Sequence, residues 1–129
     1  MAGAKILVIE DQPLNLELVR DLLEMGGYVV WSATDAEEGL TLARTAQPDL
    51  ILMDISLPGM DGLTATRKLK EDSATQQIPV VALTAHAMKG DQEKAQAAGC
   101  AGYLTKPVDT RTFVQQVSNY LKGSGRQER

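Results

Sequence analysis

Five side chains that carry a charge or a hydroxyl group lie just after short apolar runs of the sequence. They are Glu10 and Asp11 after residues 5–9, Asp54 after 49–53, Thr84 after 80–83 and Lys106 shortly after 101–104. Three carboxylates brought together repel one another, by roughly 4 kcal/mol for a pair 4 Å apart under a surface-like dielectric. A hard divalent cation such as Mg²⁺ relieves that repulsion, while a lysine and a threonine hydroxyl suit phosphate oxygens. The set predicts a magnesium-assisted site that accepts a phosphoryl group, with one aspartate as the nucleophile.

The apolar runs read as strands buried on both faces, because they are rich in β-branched residues and show no polar alternation. We expect strands over residues 5–9, 28–31, 49–53, 80–83 and 101–104. Between them, apolar residues recur at helical spacing. The predicted helix faces are Leu14, Leu18 and Leu22 after Pro13; Ala36, Leu40 and Ala43 after a cap at Thr34 or Asp35; Leu63, Thr66 and Leu69 after a cap at Asp61; and Phe113, Val117 and Leu121 in a last helix from about Asp109. The alanine-rich stretch 85–98 predicts a marginal helix that starts near Asp91.

Alternating strands and helices imply an α/β fold with a parallel sheet and helices on both of its faces. In such a sheet, ligands bind outside the carboxyl ends of the strands. The charged and hydroxyl side chains all lie at those ends, so the predicted elements would bring them to one edge. One domain is expected over residues 1–122, followed by a polar, disordered tail over 123–129.

Composition excludes several classes of protein. The chain has 129 residues, of which 43% are hydrophobic, and a formal net charge of −4, so neither general disorder nor non-specific nucleic-acid binding is expected. No apolar run approaches the roughly 18 residues that a membrane helix needs, and the N-terminus lacks the layout of a signal peptide. The single cysteine, Cys100, is expected to be a packed thiol. These features predict a cytoplasmic protein with no membrane insertion.

Four stretches of the sequence resemble the receiver domain of two-component response regulators, in the CheY-like superfamily. They are Glu10-Asp11, the run from Met53 to Gly62 (MDISLPGMDG), Ala82-Leu83-Thr84-Ala85 and Lys106-Pro107. The resemblance extends from Lys5 to about Leu121, and residues 50–55 and 80–91 are similar to those of DivK-type single-domain regulators. It implies a flavodoxin-like (βα)5 fold with strand order 2-1-3-4-5.

The resemblance also implies a role for each site residue. Asp54 would be the phosphoacceptor. The ligands of Mg²⁺ would be Asp11 and Asp54, the backbone carbonyl of Ser56, and Glu10 acting mainly through a bound water. Lys106 and Ala85 would bind the phosphoryl group, with Thr84 as the switch hydroxyl and Tyr103 as the switch aromatic. The Lys106–Pro107 peptide bond would be cis.

Two positions differ from the commonest form of the family. Glu10 stands where many members have aspartate, which is a common variant. His86, the only histidine, lies two residues beyond Thr84, at a position said to tune the lifetime of the phosphorylated state. We expect His86 to be exposed and inert, and its loop setting argues against a role as phosphodonor.

Rival functions are disfavoured by particular residues. A flavodoxin-like redox carrier needs a hydroxyl- and glycine-rich loop after the first strand, where Glu10 and Asp11 would repel phosphate. A P-loop nucleotide hydrolase needs a glycine-rich loop that ends in lysine, and the sequence has none. A phosphatase of the haloacid-dehalogenase type needs a second aspartate two positions after its nucleophile, where this chain has Ser56.

The expected function is therefore a phosphorylation-controlled binding switch that catalyses only its own phosphorylation and slow dephosphorylation. A histidine kinase or a histidine phosphotransfer protein would donate the phosphoryl group. With no output domain expected after Leu121, output would be protein–protein contact through the face formed by the fourth helix, fifth strand and fifth helix. The alternative is that the chain is the receiver portion of a hybrid histidine kinase.

Overall fold

The computed structural model describes residues 3–85 and 89–123, in which five strands alternate with five helices. The elements are β1 (Lys5–Ile9), α1 (Pro13–Met25), β2 (Val29–Ala33), α2 (Ala36–Ala46), β3 (Leu50–Asp54), α3 (Gly62–Glu71), β4 (Val80–Thr84), α4 (Lys89–Ala98), β5 (Gly102–Thr105) and α5 (Phe113–Gly123). None of these helices is both long and apolar enough to cross a membrane. The predicted alternation of strands and helices is confirmed.

The strands form one parallel sheet in the order β2-β1-β3-β4-β5, as in the flavodoxin-like fold. Its register aligns the carboxyl ends of the inner strands. Asp54, the last residue of β3, lies opposite Leu83 of β4, and Thr84 of β4 lies opposite Thr105 of β5. The predicted site residues therefore come to one edge of the sheet.

Apolar side chains form one core layer on each face of the sheet. On one face, α1 and α5 pack with Val19, Phe113 and Val117, and the predicted α5 face of Phe113, Val117 and Leu121 is confirmed. On the other face, α2, α3 and α4 pack mainly through alanines and Leu69. Burial on both faces explains why β3 and β4 contain only buried residues.

The predicted buried face of α1 is wrong for two of its three leucines, and only Leu22 packs in part against the core. Leu14 is 80% exposed and Leu18 is 36% exposed, whereas Val19 and Leu23 are buried against the sheet. This helix has apolar residues on two adjacent faces, so leucine spacing alone does not decide which face meets the sheet. The short connection from β1 sets the rotation of the helix, and the face with Val19 and Leu23 is the one turned inward.

Several boundaries differ from those expected. β2 continues to Ala33, paired with Ile9, and β3 and β5 each begin and end one residue later than predicted. The last helix begins at Phe113 because residues 109–112 form a turn, in which Asp109 Oδ1 accepts the Arg111 N–H at 2.9 Å. α4 begins at Lys89, two residues earlier than expected. The predicted tail starts inside α5 at Gly123, and residues 124–129 lie outside the described residues.

Three smaller expectations are confirmed by side-chain contacts. Asp35 caps α2 by accepting the Glu38 N–H at 2.8 Å, and Asp61 caps α3 by accepting the Thr64 N–H at 2.8 Å. Cys100 is a packed thiol, 7% exposed, whose Sγ lies 3.9 Å from the hydroxyl of Thr66. Burial raises the pKa of this thiol above its usual value.

Candidate functional site

Three acids meet where β1 and β3 end. Glu10 and Asp11 directly follow β1, and Asp54 is the last residue of its neighbour β3. One carboxylate oxygen from each acid lies within 4.8 Å of the others. Glu10 and Asp54 are buried and Asp11 is half-buried, so bulk water screens their repulsion only in part. The expected convergence of three carboxylates is thus present in the fold.

Lys106 joins two of these acids. It follows β5, and its Nζ lies 3.0 Å from Glu10 Oε1 and 3.1 Å from Asp54 Oδ2. Burial alone would lower the pKa of this amine, but hydrogen bonds and charge from Glu10 and Asp54 outweigh it and raise the pKa above its usual value. At neutral pH the amine is therefore a fixed positive charge beside the carboxylate of Asp54.

Backbone groups occupy the remaining oxygens of the two buried acids. Glu10 Oε2 accepts the Gln12 N–H at 3.1 Å, and Asp54 Oδ1 accepts the Ser56 N–H at 2.9 Å. Burial raises the pKa of Glu10, while the Gln12 N–H and the Lys106 amine oppose that rise. These contacts fix the orientation of both carboxylates, so the site is preorganised by the strand ends and their first turns.

The carboxylates border a cavity of about 420 Å³ at the carboxyl edge of the sheet. It is lined by Asp11, Gln12, Asn15, Asp54, Ser56, Ala85, Lys106 and Pro107. Three acids and one lysine, if all are ionised, leave a net negative charge among oxygen ligands. A hard divalent cation that prefers oxygen ligands suits this donor set. The residues present therefore fit Mg²⁺, and the cavity has room for a phosphoryl group.

The remaining predicted site residues divide between this cavity and its surroundings. Thr84 ends β4 and is 3% exposed, one residue before the cavity-lining Ala85. Tyr103 lies on β5 outside the cavity, half-buried against the layer that contains α4. The Lys106–Pro107 peptide bond is cis. His86 lies outside the described residues.

Sequence reasoning did not single out two residues of this site. Gln12 precedes α1 and gives its N–H to Glu10, and Asn15 in the first turn of that helix lines the cavity. The signal was present in Pro13, which marks a helix start directly after Asp11. A helix that starts there must present its first turn to the same cavity as the acids before it.

The family model described as the response regulator receiver domain matches residues 6–118. The chain therefore belongs to the response regulator receiver domain family. Among curated proteins it is similar to the polar-differentiation response regulator DivK of Brucella anthropi. The two are 45% identical over 116 residues, which cover 90% of this chain and 94% of that protein.

Two solved structures add to this comparison. The receiver domain of the sensor histidine kinase PA1611 from Pseudomonas aeruginosa, solved with a magnesium ion coordinated in its active site cleft, matches with a TM-score of 0.86. It is 34% identical, and the match covers 94% of this chain and 99% of that one. The chemotaxis protein CheY4 of Vibrio cholerae also matches with a TM-score of 0.86, at 28% identity over 92% of this chain and 98% of that one.

Proposed function

We propose that this receiver domain accepts a phosphoryl group on Asp54 in the presence of Mg²⁺ and thereby switches its binding to another protein. The observation that carries the proposal is the Lys106 amine, held 3.1 Å from Asp54 Oδ2, with both residues lining the cavity of about 420 Å³. A carboxylate that pairs with a fixed cation and borders a phosphate-sized space is suited to accept phosphate.

Four groups would hold the metal. Asp11 and Asp54 would bind it directly, together with the backbone carbonyl of Ser56, and Glu10 would act mainly through a bound water. The half-buried position of Asp11 on the cavity wall supports its assignment as a direct ligand. Glu10 is already held by Lys106 and the Gln12 N–H, which fits a less direct role. When bound, Mg²⁺ neutralises charge on the acids and on the phosphoryl oxygens.

The chemical step is transfer from a phosphohistidine of the donor. A carboxylate oxygen of Asp54 forms the new O–P bond as the N–P bond of the phosphohistidine breaks, and the imidazole leaves with that electron pair and takes a proton. Lys106 holds its positive charge beside the developing phosphate, and the backbone N–H of Ala85 is proposed as a further donor. Water later cleaves the acyl phosphate, which releases inorganic phosphate and returns Asp54 to a free carboxylate.

The switch would use Thr84 and Tyr103. A phosphate on Asp54 offers the Thr84 hydroxyl a charged acceptor, and a shift of Thr84 would free space for Tyr103 to rotate. A cavity of about 270 Å³ between α4 and β5 already contacts Tyr103, which supports this surface as the changeable one. We propose that the downstream partner binds the face formed by α4, β5 and α5.

Response regulator receivers are signalling domains that interact with histidine kinases or phosphotransfer proteins, and we propose the same donors here. A cytoplasmic location is proposed with them, with neither nucleic-acid binding nor membrane insertion. The alternative, the receiver portion of a hybrid histidine kinase, is less favoured, because the similar curated relatives are DivK proteins that this chain matches over 94% of their length.

The test is the intact mass of the protein after incubation with acetyl phosphate, with and without MgCl₂. The proposal expects one added phosphoryl group in the presence of magnesium, and none in Asp54→Asn, whose amide is a poor nucleophile. Asp61→Asn is the matched control, since Asp61 is an exposed acid that caps α3. Undiminished labelling of Asp54→Asn would place the acceptor elsewhere.

A further inference from the structure

The strand β2 forms one lateral edge of the sheet and carries no charged residue. β2 is the outermost strand and pairs only with β1 among the residues that the structure describes. Its sequence, VVWSA, contains no charge and no proline. Edge strands of monomeric proteins are usually protected by lysine, proline or a bulge, because an open edge pairs readily with another strand. β2 has none of these protections.

The hydrogen bonds of β2 show which of its backbone groups face outward. The Val29 N–H donates to Ala4 O at 2.9 Å, and Ala33 O accepts the Glu10 N–H at 3.0 Å, so Val29 and Ala33 face inward. Backbone direction alternates along a strand. Val30 and Ser32 therefore turn their N–H and C=O groups outward, where the described part of the chain offers them no backbone partner.

Apolar side chains accompany this open edge. Trp31, the only tryptophan, is 42% exposed, and Val29 is 48% exposed. Alternation places both on the same face of the sheet as Ala33, which is buried in the layer beneath α2. Exposed apolar residues beside an unpaired edge are typical of a binding surface. This edge therefore offers both unpaired backbone groups and exposed apolar side chains to a binding partner.

We propose that β2 pairs antiparallel with β2 of a second copy of this chain, about a two-fold axis at Trp31. This register sets Val30 of one copy against Ser32 of the other. The two residues exchange both of their hydrogen bonds, and the symmetric pair does the same. Four hydrogen bonds form without any shift within either strand.

A second copy suits this edge for two reasons. The outward groups are symmetric about Trp31, so the strand is complementary to itself. No residue of the strand is charged, although the guanidinium of Arg20 in α1 donates to the Ser32 hydroxyl. The two Trp31 side chains then lie directly opposite each other on one face. Residues at such a position have Cα atoms about 4.5 Å apart, within reach of ring contact. The contact is short, so a weak dimer is expected.

The test measures association through mass and through Trp31 itself. Analytical ultracentrifugation of the full chain is run up to about 1 mM, the range of a weak Kd. A rising dimer fraction is expected, with a blue shift of tryptophan emission that follows the same concentration curve. A wild-type protein that stays monomeric over this range overturns the proposal and leaves the edge for a strand of another protein.

Two variants and two controls identify the strand. Val30→Pro removes an outward N–H that β1 does not use, a position at which edge strands tolerate proline, and Trp31→Lys puts two like charges at the axis. Both are expected to remain monomeric, while Val30→Ala and Met25→Lys, at an 83% exposed site off the strand, still dimerise. Circular dichroism and phosphorylation by acetyl phosphate check that each variant is folded. A dimer that survives in folded Val30→Pro and Trp31→Lys overturns the assignment.

Discussion

Gly62 begins α3 so close to Asp54 that a Cβ atom on it would lie 2.3 Å from the Asp54 carbonyl oxygen. No side chain fits in that space without moving the end of β3 or the start of α3. Asp54 carries the proposed acceptor carboxylate, so the same displacement would move that carboxylate relative to Lys106. A residue with no side chain therefore fixes the geometry of the site.

Gly62→Ala is expected to destabilise the fold by about 1–3 kcal/mol, as overpacking does, and to slow labelling of Asp54 by acetyl phosphate. Urea unfolding and intact-mass kinetics measure the two effects. The matched control is Gly90→Ala in the first turn of α4, where a Cβ would have nothing within 4 Å, so no destabilisation is expected. Equal effects of the two substitutions would contradict the steric explanation.

Asp11→Asn is expected to stabilise the protein without magnesium by about 0.5–2 kcal/mol, because it removes one of three clustered charges. Asp54→Asn should stabilise it less, since Asp54 also loses its ion pair with Lys106. In the described part of the chain, no side-chain cation forms an ion pair within 4.0 Å of the Asp11 carboxylate. Urea unfolding with and without MgCl₂ measures the free energy of unfolding of each protein. The wild type is expected to gain about 2.7 kcal/mol when the concentration of Mg²⁺ is 100 times its Kd. Stability that responds neither to magnesium nor to the substitutions would contradict a carboxylate metal site.

Lys106→Ala is expected to lower the free energy of unfolding by about 1–3 kcal/mol at neutral pH and to impair labelling of Asp54. The loss leaves Glu10 buried without its cation, which raises the pKa of that carboxyl beyond its already raised value. An acid with a raised pKa in the fold stabilises it fully below its unfolded value of 4.5, and this contribution is lost as the pH rises through the folded pKa.

The deficit of Lys106→Ala should therefore shrink as the pH falls toward 4.5, which urea unfolding at a series of pH values measures. Lys122→Ala removes an exposed lysine and is the control for the change in net charge. A deficit that is the same at every pH would mean that Lys106 stabilises the fold through packing alone.

Thr84→Ala is expected to accept phosphate on Asp54 but to lose the response of α4 and β5. A hydroxyl bond to a charged group is worth roughly 1.5–3 kcal/mol, which changes a two-state ratio tenfold or more. Hydrogen exchange before and after acetyl phosphate measures the response, and Tyr103→Ala should alter it more than it alters labelling. The control is Thr105→Ala, an exposed threonine opposite Thr84 in the register. A full hydrogen-exchange response in Thr84→Ala, or a response confined to α2 and α3, would contradict the proposed coupling from Asp54 through Thr84 to α4 and β5.

Asp61→Ala is expected to cost about 1 kcal/mol, since it removes the cap of α3, whereas Asp61→Asn keeps an oxygen for the Thr64 N–H. That N–H holds the pKa of Asp61 below its usual 3.8. A lowered acid pKa gives stability that is present above the unfolded value and is lost as the pH falls through the folded one. Below about pH 3.8 the wild type should thus lose the contribution that the ionised Asp61 carboxylate makes to its free energy of unfolding, whereas Asp61→Asn should show no such loss. Urea unfolding from pH 2 to 7 compares the three proteins.

The sheet and the convergence of acids were predictable because they depend on short-range signals. Strands buried on both faces show unbroken apolar runs, and parallel strands bring the residues after them to one edge. Glu10, Asp11 and Asp54 needed only these two rules. The strand order and the cis peptide bond before Pro107 came from resemblance to a family, since no local pattern specifies either.

Other features depend on contacts that the sequence does not encode locally. The rotation of α1, which buries Val19 and exposes Leu14, follows from how its first turn leaves β1. The charge on the three acids was expected to be balanced by a metal, but Lys106 already balances part of it from a strand that lies two places from Asp54 in the sheet. Pairing over 52 residues of sequence is visible only once the strands are assembled.

Cys100 is a natural reporter group for the region between α4 and β5. It is the only thiol, it is buried, and its raised pKa keeps the reactive thiolate scarce. Cys100 also lines the cavity of about 270 Å³ between α4 and β5, so the rate at which an alkylating reagent modifies it reports how accessible that cavity is. A phosphate on Asp54 is proposed to act through this region. The half-life of the Cys100 thiol toward alkylation, measured with and without a phosphodonor, therefore reports whether phosphorylation changes the structure there.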